Sequence, residues 1–354
     1  MKEDGKVKES YLQSNLKIKN KKKKPLINYK NPTMEAWPNV FQFELTEGCN
    51  LWCSFCGIRG IRKRPGQYKF MKVSLVEKVM RQLQELEWTV RFELAGRGEP
   101  LKNPNYMKIL RIIRRYAPGC SIQMCTNGAE LLSDTTRKVD ELLEVVNILG
   151  LDSYDYANIV PRIIERYKGK HGIFYWPERN LYGRANVNSH EIVIIPDISA
   201  GRLSMRFMVN QCGASGPLDY RFLKSRCQRL FREIYVRDDG LVPLCCNDWR
   251  GEYIVGDLNK ETVGDIWSGP RFVAARKIVL HEGRRYRPCL GCTARVARAG
   301  MLPDKWGQKT MPMVTSKDRA IVKETLSKGP ATIPVLRSWE NKEGGIKEWL
   351  QKKD

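Results

Sequence analysis

A chain of 354 residues that is 42% hydrophobic can bury a large core, and 62 Lys+Arg against 39 Asp+Glu give it a net charge of +23. No apolar run approaches the ~20 residues that span a bilayer, and the Lys-rich polar start lacks the apolar stretch of a secretion signal. Both argue against a membrane span and against export, so the cytoplasm is the expected location. Eleven cysteines in such a chain point to metal ligation over disulfides.

Residues 1–36 read as a flexible basic arm: residues 1–30 hold ten Lys and three acids, a net +7 that leaves +16 elsewhere. Val40 to Leu45 alternates as a strand. Gly48 lets the chain turn out of it, and Cys49, Cys53 and Cys56 follow on the loop. Residues 57–74 then carry Arg59, Arg62, Lys63, Arg64, Lys69 and Lys72 and no acid, a basic lip or a solvated loop. Ser74, with Glu77 three residues on, reads as a capping box opening a helix whose apolar stripe is Val76, Val79, Met80, Leu83 and Leu86.

Val90 to Leu94 is the next strand, ending in Ala95-Gly96-Arg97-Gly98-Glu99-Pro100. Asn103 and Pro104 open a helix through Tyr116. Ser121 to Cys125 is a strand ending in Thr126-Asn127-Gly128, residues 134–144 a helix, Val145 to Leu151 a strand ending in Asp152-Ser153, and residues 156–167 a helix. Gly172 to Pro177 reads as an ordered, substrate-facing loop, and Ile192–Ile195 and Met205–Val209 as the fifth and sixth strands. Cys212, just beyond, reads as a small buried residue. Strand–helix alternation of this kind predicts parallel strands and an α/β fold. In such folds ligands collect at the carboxyl ends of the strands. Cys49, Glu99, Asn127 and Ser153 all follow such ends and are expected to ring one mouth.

Three soft thiolates on one loop suit an iron–sulfur cluster or zinc. Zinc ordinarily takes four ligands, whereas three thiolates leave one iron of a four-iron cluster open to substrate. The C-x3-C-x2-C loop after a strand resembles the signature of the radical S-adenosylmethionine (SAM) superfamily. The resemblance implies a [4Fe–4S] cluster on Cys49, Cys53 and Cys56, whose fourth iron chelates the methionine end of SAM. One electron then cleaves SAM to methionine and a 5'-deoxyadenosyl radical that abstracts hydrogen. It also implies that Phe55, the aromatic residue before the third cysteine, lies beside the adenine. Gly98-Glu99-Pro100 resembles the family's "GGE" element, which meets the methionine amino group; here Arg97 replaces one expected Gly. A bound ammonium wants an acceptor, which Glu99 supplies. Thr126, Asn127 and Ser153 stand where the family contacts the ribose or carboxylate of SAM. The implied fold is a partial (β/α)6 barrel over residues 37–215.

A second cysteine set follows. Cys227, Gly240 and Cys245 read C-x12-G-x4-C, and Cys289 and Cys292 read C-x2-C. Tyr235–Arg237 and Val242–Leu244 read as strands of a hairpin turning at Asp239-Gly240, which draws Cys227 towards Cys245; a helix opens at Thr262. Four thiols can close a metal site, as structural zinc or as a cluster. The pattern resembles the SPASM extension or its shorter form, twitch, over residues 227–292, within an auxiliary domain expected over 216–300. No cysteine follows Cys292, so the shorter form fits, with one auxiliary [4Fe–4S] cluster on Cys227, Cys245, Cys289 and Cys292; Cys246 is the alternative to Cys245. Residues 301–354 form a basic C-terminal extension with a helix over 316–327.

The resemblance implies an enzyme that cleaves SAM reductively and oxidises or modifies a peptide or protein side chain, or a small alcohol, with help from the auxiliary cluster. It implies an electron donor such as flavodoxin or ferredoxin. The charge favours an anionic substrate and admits nucleic acid. Two other readings stay open from sequence: a radical SAM enzyme that modifies RNA, and a basic metal-binding protein that binds nucleic acid without catalysis.

Overall fold

The computed structural model describes residues 37–51, 53, 56, 66–132, 138–152, 159–175, 189–195, 212, 223–290, 292–293 and 311–329. In chain order the strands are β1 (Val40–Phe43), β2 (Thr46–Glu47), β3 (Lys69–Phe70), β4 (Arg91–Leu94), β5 (Ile122–Thr126), β6 (Ile148–Asp152), β7 (Gly172–Tyr175), β8 (Glu191–Ile195), β9 (Glu233–Val236), β10 (Leu241–Pro243) and β11 (Ile254–Asp257). The helices are α1 (Val73–Glu85), α2 (Tyr106–Tyr116), α3 (Ala129–Leu132), α4 (Lys138–Val145), α5 (Ile159–Tyr167), α6 (Val263–Ser268), α7 (Pro270–His281) and α8 (Ser316–Lys328).

Seven strands form one parallel sheet in the order β7-β8-β6-β5-β4-β1-β9. Period-two alternation splits each central strand between two faces. One face carries Phe41, Phe43, Phe92, Leu94, Ile122 and Met124, none more than 1% exposed, into the core under the helices. Val76, Val79, Met80 and Leu83 of α1 and Ile109, Leu110 and Ile113 of α2 meet them. Each such side chain contributes roughly 1.5–3 kcal/mol by leaving water. The other face is mixed: apolar over β6 and β8, where Ile148, Val193 and Ile195 cluster, and polar over β1, β4 and β5. Gln42, Glu93 and Gln123 stand side by side in register across β1, β4 and β5, all at most 3% exposed.

Several local expectations change. The capping box at Ser74 does not form: α1 begins at Val73 with Lys72 as its cap, and Glu77 pairs instead with Arg81 and Arg115. α2 begins at Tyr106, because Asn103 is occupied elsewhere, its amide donating to the Leu45 carbonyl at 2.8 Å. Residues 172–175 are a parallel edge strand, β7, in place of the expected loop. The hairpin reading of 235–244 is half right. A turn closes between Arg237 and Leu241, but β9 pairs in parallel with β1 in the main sheet, and β10 pairs with β11. Met205–Val209 lies outside the described residues.

The hydrophobic core runs without interruption from the sheet into the C-terminal third, through Leu230, Ile234, Phe272 and Val279 to Val322 of α8. The helices seal that continuity. Lys78 of α1 donates to the Leu258 carbonyl at 2.7 Å, Gln82 accepts from the Val263 amide at 2.9 Å, and Trp88 meets Trp267 edge-on at 6.3 Å. Helix α8, with its Thr315–Asp318 capping box, is pinned to α7 by Lys277–Asp318 at 3.1 Å.

Candidate active site

The loops after β1, β4 and β5 meet at one end of the sheet. Gly48 takes a left-handed φ of 115° and forms a parallel bridge to Gly98. At Gly98 a Cβ would lie 2.1 Å from the Thr46 carbonyl oxygen and 2.3 Å from that of Gly48, so only glycine fits between the two loops. The Glu99 amide donates to the Gly48 carbonyl at 2.9 Å.

The Glu99 carboxylate is 2% exposed. It accepts from the Thr126 hydroxyl at 2.6 Å, the Asn127 amide at 2.9 Å and the Leu101 amide at 3.1 Å. Asn127 in turn donates from Nδ2 to Asn50 Oδ1 at 2.9 Å and to Cys49 Sγ at 3.5 Å. The Leu51 amide also points at Cys49 Sγ, 3.4 Å away. Cys49 Sγ thus sits in a polar hydrogen-bonded turn, itself donating to Asn50 Oδ1 at 3.6 Å. Cys53 is buried, Cys49 and Cys56 half-buried, and the Cys56 amide closes a turn onto the Cys53 carbonyl at 3.2 Å. Phe55 and Ser153 lie outside the described residues.

Burial pushes the Glu99 carboxyl up to about 7, against its three hydrogen bonds and helped by nearby Asp152. Because the folded value lies above the ordinary one, the folded protein holds this proton where the unfolded chain has lost it. The free energy cost appears as pH rises from about 4.5 to about 7 and is constant above, and the shift corresponds to roughly 3 kcal/mol. We expect the stability of Glu99→Gln relative to wild type, both free of SAM, to rise by that order between pH 5 and pH 8. Parallel pH–stability curves would show that Glu99 titrates normally.

A second group of thiols gathers beyond the sheet edge. Cys227, Cys245, Cys289 and Cys292 are all buried, and Cys212 is buried with them. Cys212 lies 4.0 Å from Cys292, sulfur to sulfur, and within hydrogen-bonding reach of Cys245 as well. Cys289 feels Cys245, Cys227 and Cys292 as charged neighbours. Burial raises the Cys227 thiol to about 11, with Cys245 adding to the shift against Arg284. Among the described residues no group of three or more Cys, His, Asp or Glu side chains is gathered as it would be around one ion; the thiols are near neighbours, not a closed shell. Buried thiols that oppose one another's ionisation are a donor set that a cationic metal centre would relieve, displacing their protons. The Cys246 sulfur meets a different set of groups, 2.8 Å from Arg229 Nη1 and 3.2 Å from Glu233 Oε1. Cys212 is buried, as its sequence reading expected, and has thiol neighbours which that reading did not include. It precedes the C-x12-G-x4-C pattern by 15 residues, and no spacing rule reaches it.

The chain matches the model of the radical SAM superfamily over residues 43–173 and that of an iron–sulfur cluster-binding domain, SPASM, over residues 227–293. It is a radical SAM enzyme. Its cofactors are SAM, a SAM-binding [4Fe–4S] cluster and an auxiliary iron–sulfur cluster. It is 25% identical over 266 residues to the S-adenosyl-L-methionine-dependent 2-deoxy-scyllo-inosamine dehydrogenase of Niallia circulans, covering 73% of this chain and 94% of that protein. A 33% identity to GTP 3',8-cyclase 2 of Mycobacterium tuberculosis spans 122 residues, 34% of this chain and 33% of the cyclase. The crystal structure of BtrN in complex with AdoMet and 2-DOIA shares the fold, with a TM-score of 0.57 at 20% identity, over 75% of this chain and 96% of that one. No helix among the described residues of this radical SAM enzyme is long and apolar enough to cross a membrane.

One residue of this site escaped the sequence. Arg97, at the position where the family carries a glycine, is 4% exposed. Its guanidinium meets Glu44 at 2.7 Å, Asp238 at 3.1 Å and Glu47 at 3.7 Å. Its own backbone amide also donates to Glu44, at 2.9 Å. The only signal was the departure itself, a cation inside a glycine-rich turn.

Proposed function

We propose that this radical SAM enzyme oxidises a small hydroxylated molecule, using Cys49, Cys53 and Cys56 for the SAM-binding cluster and Cys227, Cys245, Cys289 and Cys292 for an auxiliary [4Fe–4S] cluster. Gly98, Glu99 and Asn127 would meet SAM, together with Phe55 and Ser153. Bound SAM and its cluster supply a 5'-deoxyadenosyl radical for hydrogen abstraction. The chain's own part is to receive, orient and enclose. Glu99 offers a buried acceptor to the methionine ammonium, and Asn127 ties that acceptor's turn to Cys49. Cys246, held by Arg229 and Glu233, is left out of the ligand set.

The observation that carries the substrate class is the buried polar row across β1, β4 and β5. Gln42 and Gln123 sit in register on either side of Glu93, and the side-chain carbonyls of both glutamines have no hydrogen-bond partner among the described residues. Buried acceptors left unmatched cost about 1–3 kcal/mol each. A substrate rich in hydroxyl or amino groups would satisfy them, whereas an apolar one would not. The relative that dehydrogenates 2-deoxy-scyllo-inosamine supports the same class. In domain terms the reading is a basic arm over residues 1–36, a SAM-binding part over 37–215, an auxiliary part over 216–300 and a basic extension over 301–354. A one-electron donor of the flavodoxin or ferredoxin kind serves the first cluster, and the cytoplasm supplies it.

Anaerobically reconstituted full-length protein should hold close to eight irons, two four-iron clusters. It should then release 5'-deoxyadenosine faster with an aminocyclitol such as 2-deoxy-scyllo-inosamine than with peptides. Four irons with one zinc would remove the auxiliary cluster from this reading, and stimulation by peptides alone would remove the small alcohol. A second reading, action on nucleic acid, draws on the net charge of +23. It predicts RNA binding whose affinity falls steeply with salt.

A further inference from the structure

We infer that Arg97 is a positioning residue that holds the Gly98–Glu99 turn in register with the auxiliary part of the chain. This rests on the reading of Glu99 as a SAM contact.

The contacts run in both directions from one guanidinium. Towards the SAM side, Arg97 Nε and Nη2 grip the Glu44 carboxylate at 2.7–3.1 Å, just past the end of β1, and Nη1 reaches Glu47, two residues before Cys49. Towards the auxiliary side, Nη2 meets Asp238 Oδ1 at 3.1 Å in the β9–β10 turn, and Nη1 reaches the Trp249 carbonyl at 3.4 Å. Trp249 follows Asp248, whose amide closes a turn onto the Cys245 carbonyl at 3.0 Å. The planar guanidinium presents five donors in a fixed fork, a geometry that the three rotatable donors of an ammonium do not reproduce and that a glycine lacks.

A shift of residue 97 has nowhere to dissipate. Gly98 is wedged against two carbonyls with no room for even a methyl group, and the Glu99 amide is bonded to Gly48. Movement at the guanidinium therefore passes to the Glu99 carboxylate and through Asn127 to Cys49. A glycine at this position would leave the Gly98–Glu99 turn without its direct link to Asp238 and Trp249. The arginine ties the turn's position to the loop that carries Cys245.

The test uses the full chain, anaerobically reconstituted, with SAM binding measured by equilibrium dialysis and iron counted in each sample. Asp238→Ala cuts the tether on the auxiliary side and touches neither cluster. It should raise the SAM Kd about fivefold or more, within the usual range of coupling between sites, at unchanged iron content. Its reduced SAM-side cluster should also show an altered electron paramagnetic resonance response to SAM. Arg97→Lys, which keeps charge and loses the fork, should fall between wild type and Arg97→Met, and carries the test if Asp238→Ala does not fold. An iron-replete variant of lower melting temperature whose SAM Kd stays within twofold of wild type would reduce Arg97 to a structural ion pair and overturn the inference. Glu99→Gln separates the two levels: if it leaves SAM affinity unchanged, the reading of Glu99 fails and takes this inference with it.

Discussion

Cys53→Ala is expected to abolish production of 5'-deoxyadenosine while leaving the melting transition of the SAM-free protein nearly in place. Cys53 is 4% exposed, but it sits on a loop outside the helix-covered core that Phe41, Phe43 and Phe92 build. Replacing its sulfur by hydrogen removes little core contact. Two thiolates cannot hold a cluster meant for three, so the iron count should drop by about four per chain. The assay is 5'-deoxyadenosine under dithionite alongside iron analysis. Product at the wild-type rate would show that the first cysteine loop is not the SAM site.

The second large effect is expected from replacing Cys289 and Cys292 together by Ala. Both lie among the buried thiols beyond the sheet edge. A metal centre there joins residue 227 to residue 292, closing a long loop, and its binding free energy adds directly to folding. The double variant should therefore melt well below wild type, by at least several degrees. The proposed SAM-side cluster ligands and Glu99 all lie within residues 49–99, so cleavage of SAM should persist. Coupling to substrate oxidation should be lost, because no second centre remains to take up an electron. The comparison to make is 5'-deoxyadenosine against oxidised product in the same vessel. Wild-type turnover by the double variant would make the second site structural only.

What the sequence disclosed follows from how local each signal is. The C-x3-C-x2-C loop, the C-x12-G-x4-C pattern and the strand–helix alternation are written in short windows, and residues 40–45, 90–94, 121–125 and 192–195 became strands within a residue or two. The turn at Asp239-Gly240 was legible for the same reason. Its partner strand was not: Glu233–Val236 pairs in parallel with Val40–Phe43, and such a distant pairing leaves no mark on either segment. Arg97 was visible as an oddity, but the carboxylates that explain it are scattered at 44, 47 and 238. Cys212 and the polar register of Gln42, Glu93 and Gln123 appear only once strands and loops are in place. The edge strand at 172–175 was hidden because its neighbour in the sheet, β8, is the next strand in sequence but lies between it and β6.

The place of β9 has a consequence for how the chain is made. Val40 pairs with Glu233, so the strand that leads into the first cysteine loop waits for a partner 193 residues downstream, 233 minus 40. At roughly 5–20 residues per second on a ribosome, that is about 10–40 s of synthesis. Through that interval one side of β1 is an unpaired edge, open to intermolecular pairing. A nascent or truncated chain ending before residue 233 would carry the first cysteine loop on that raw edge. Cluster insertion at the proposed ligands Cys49, Cys53 and Cys56 would thus meet a finished scaffold only after the second cysteine region has begun to emerge.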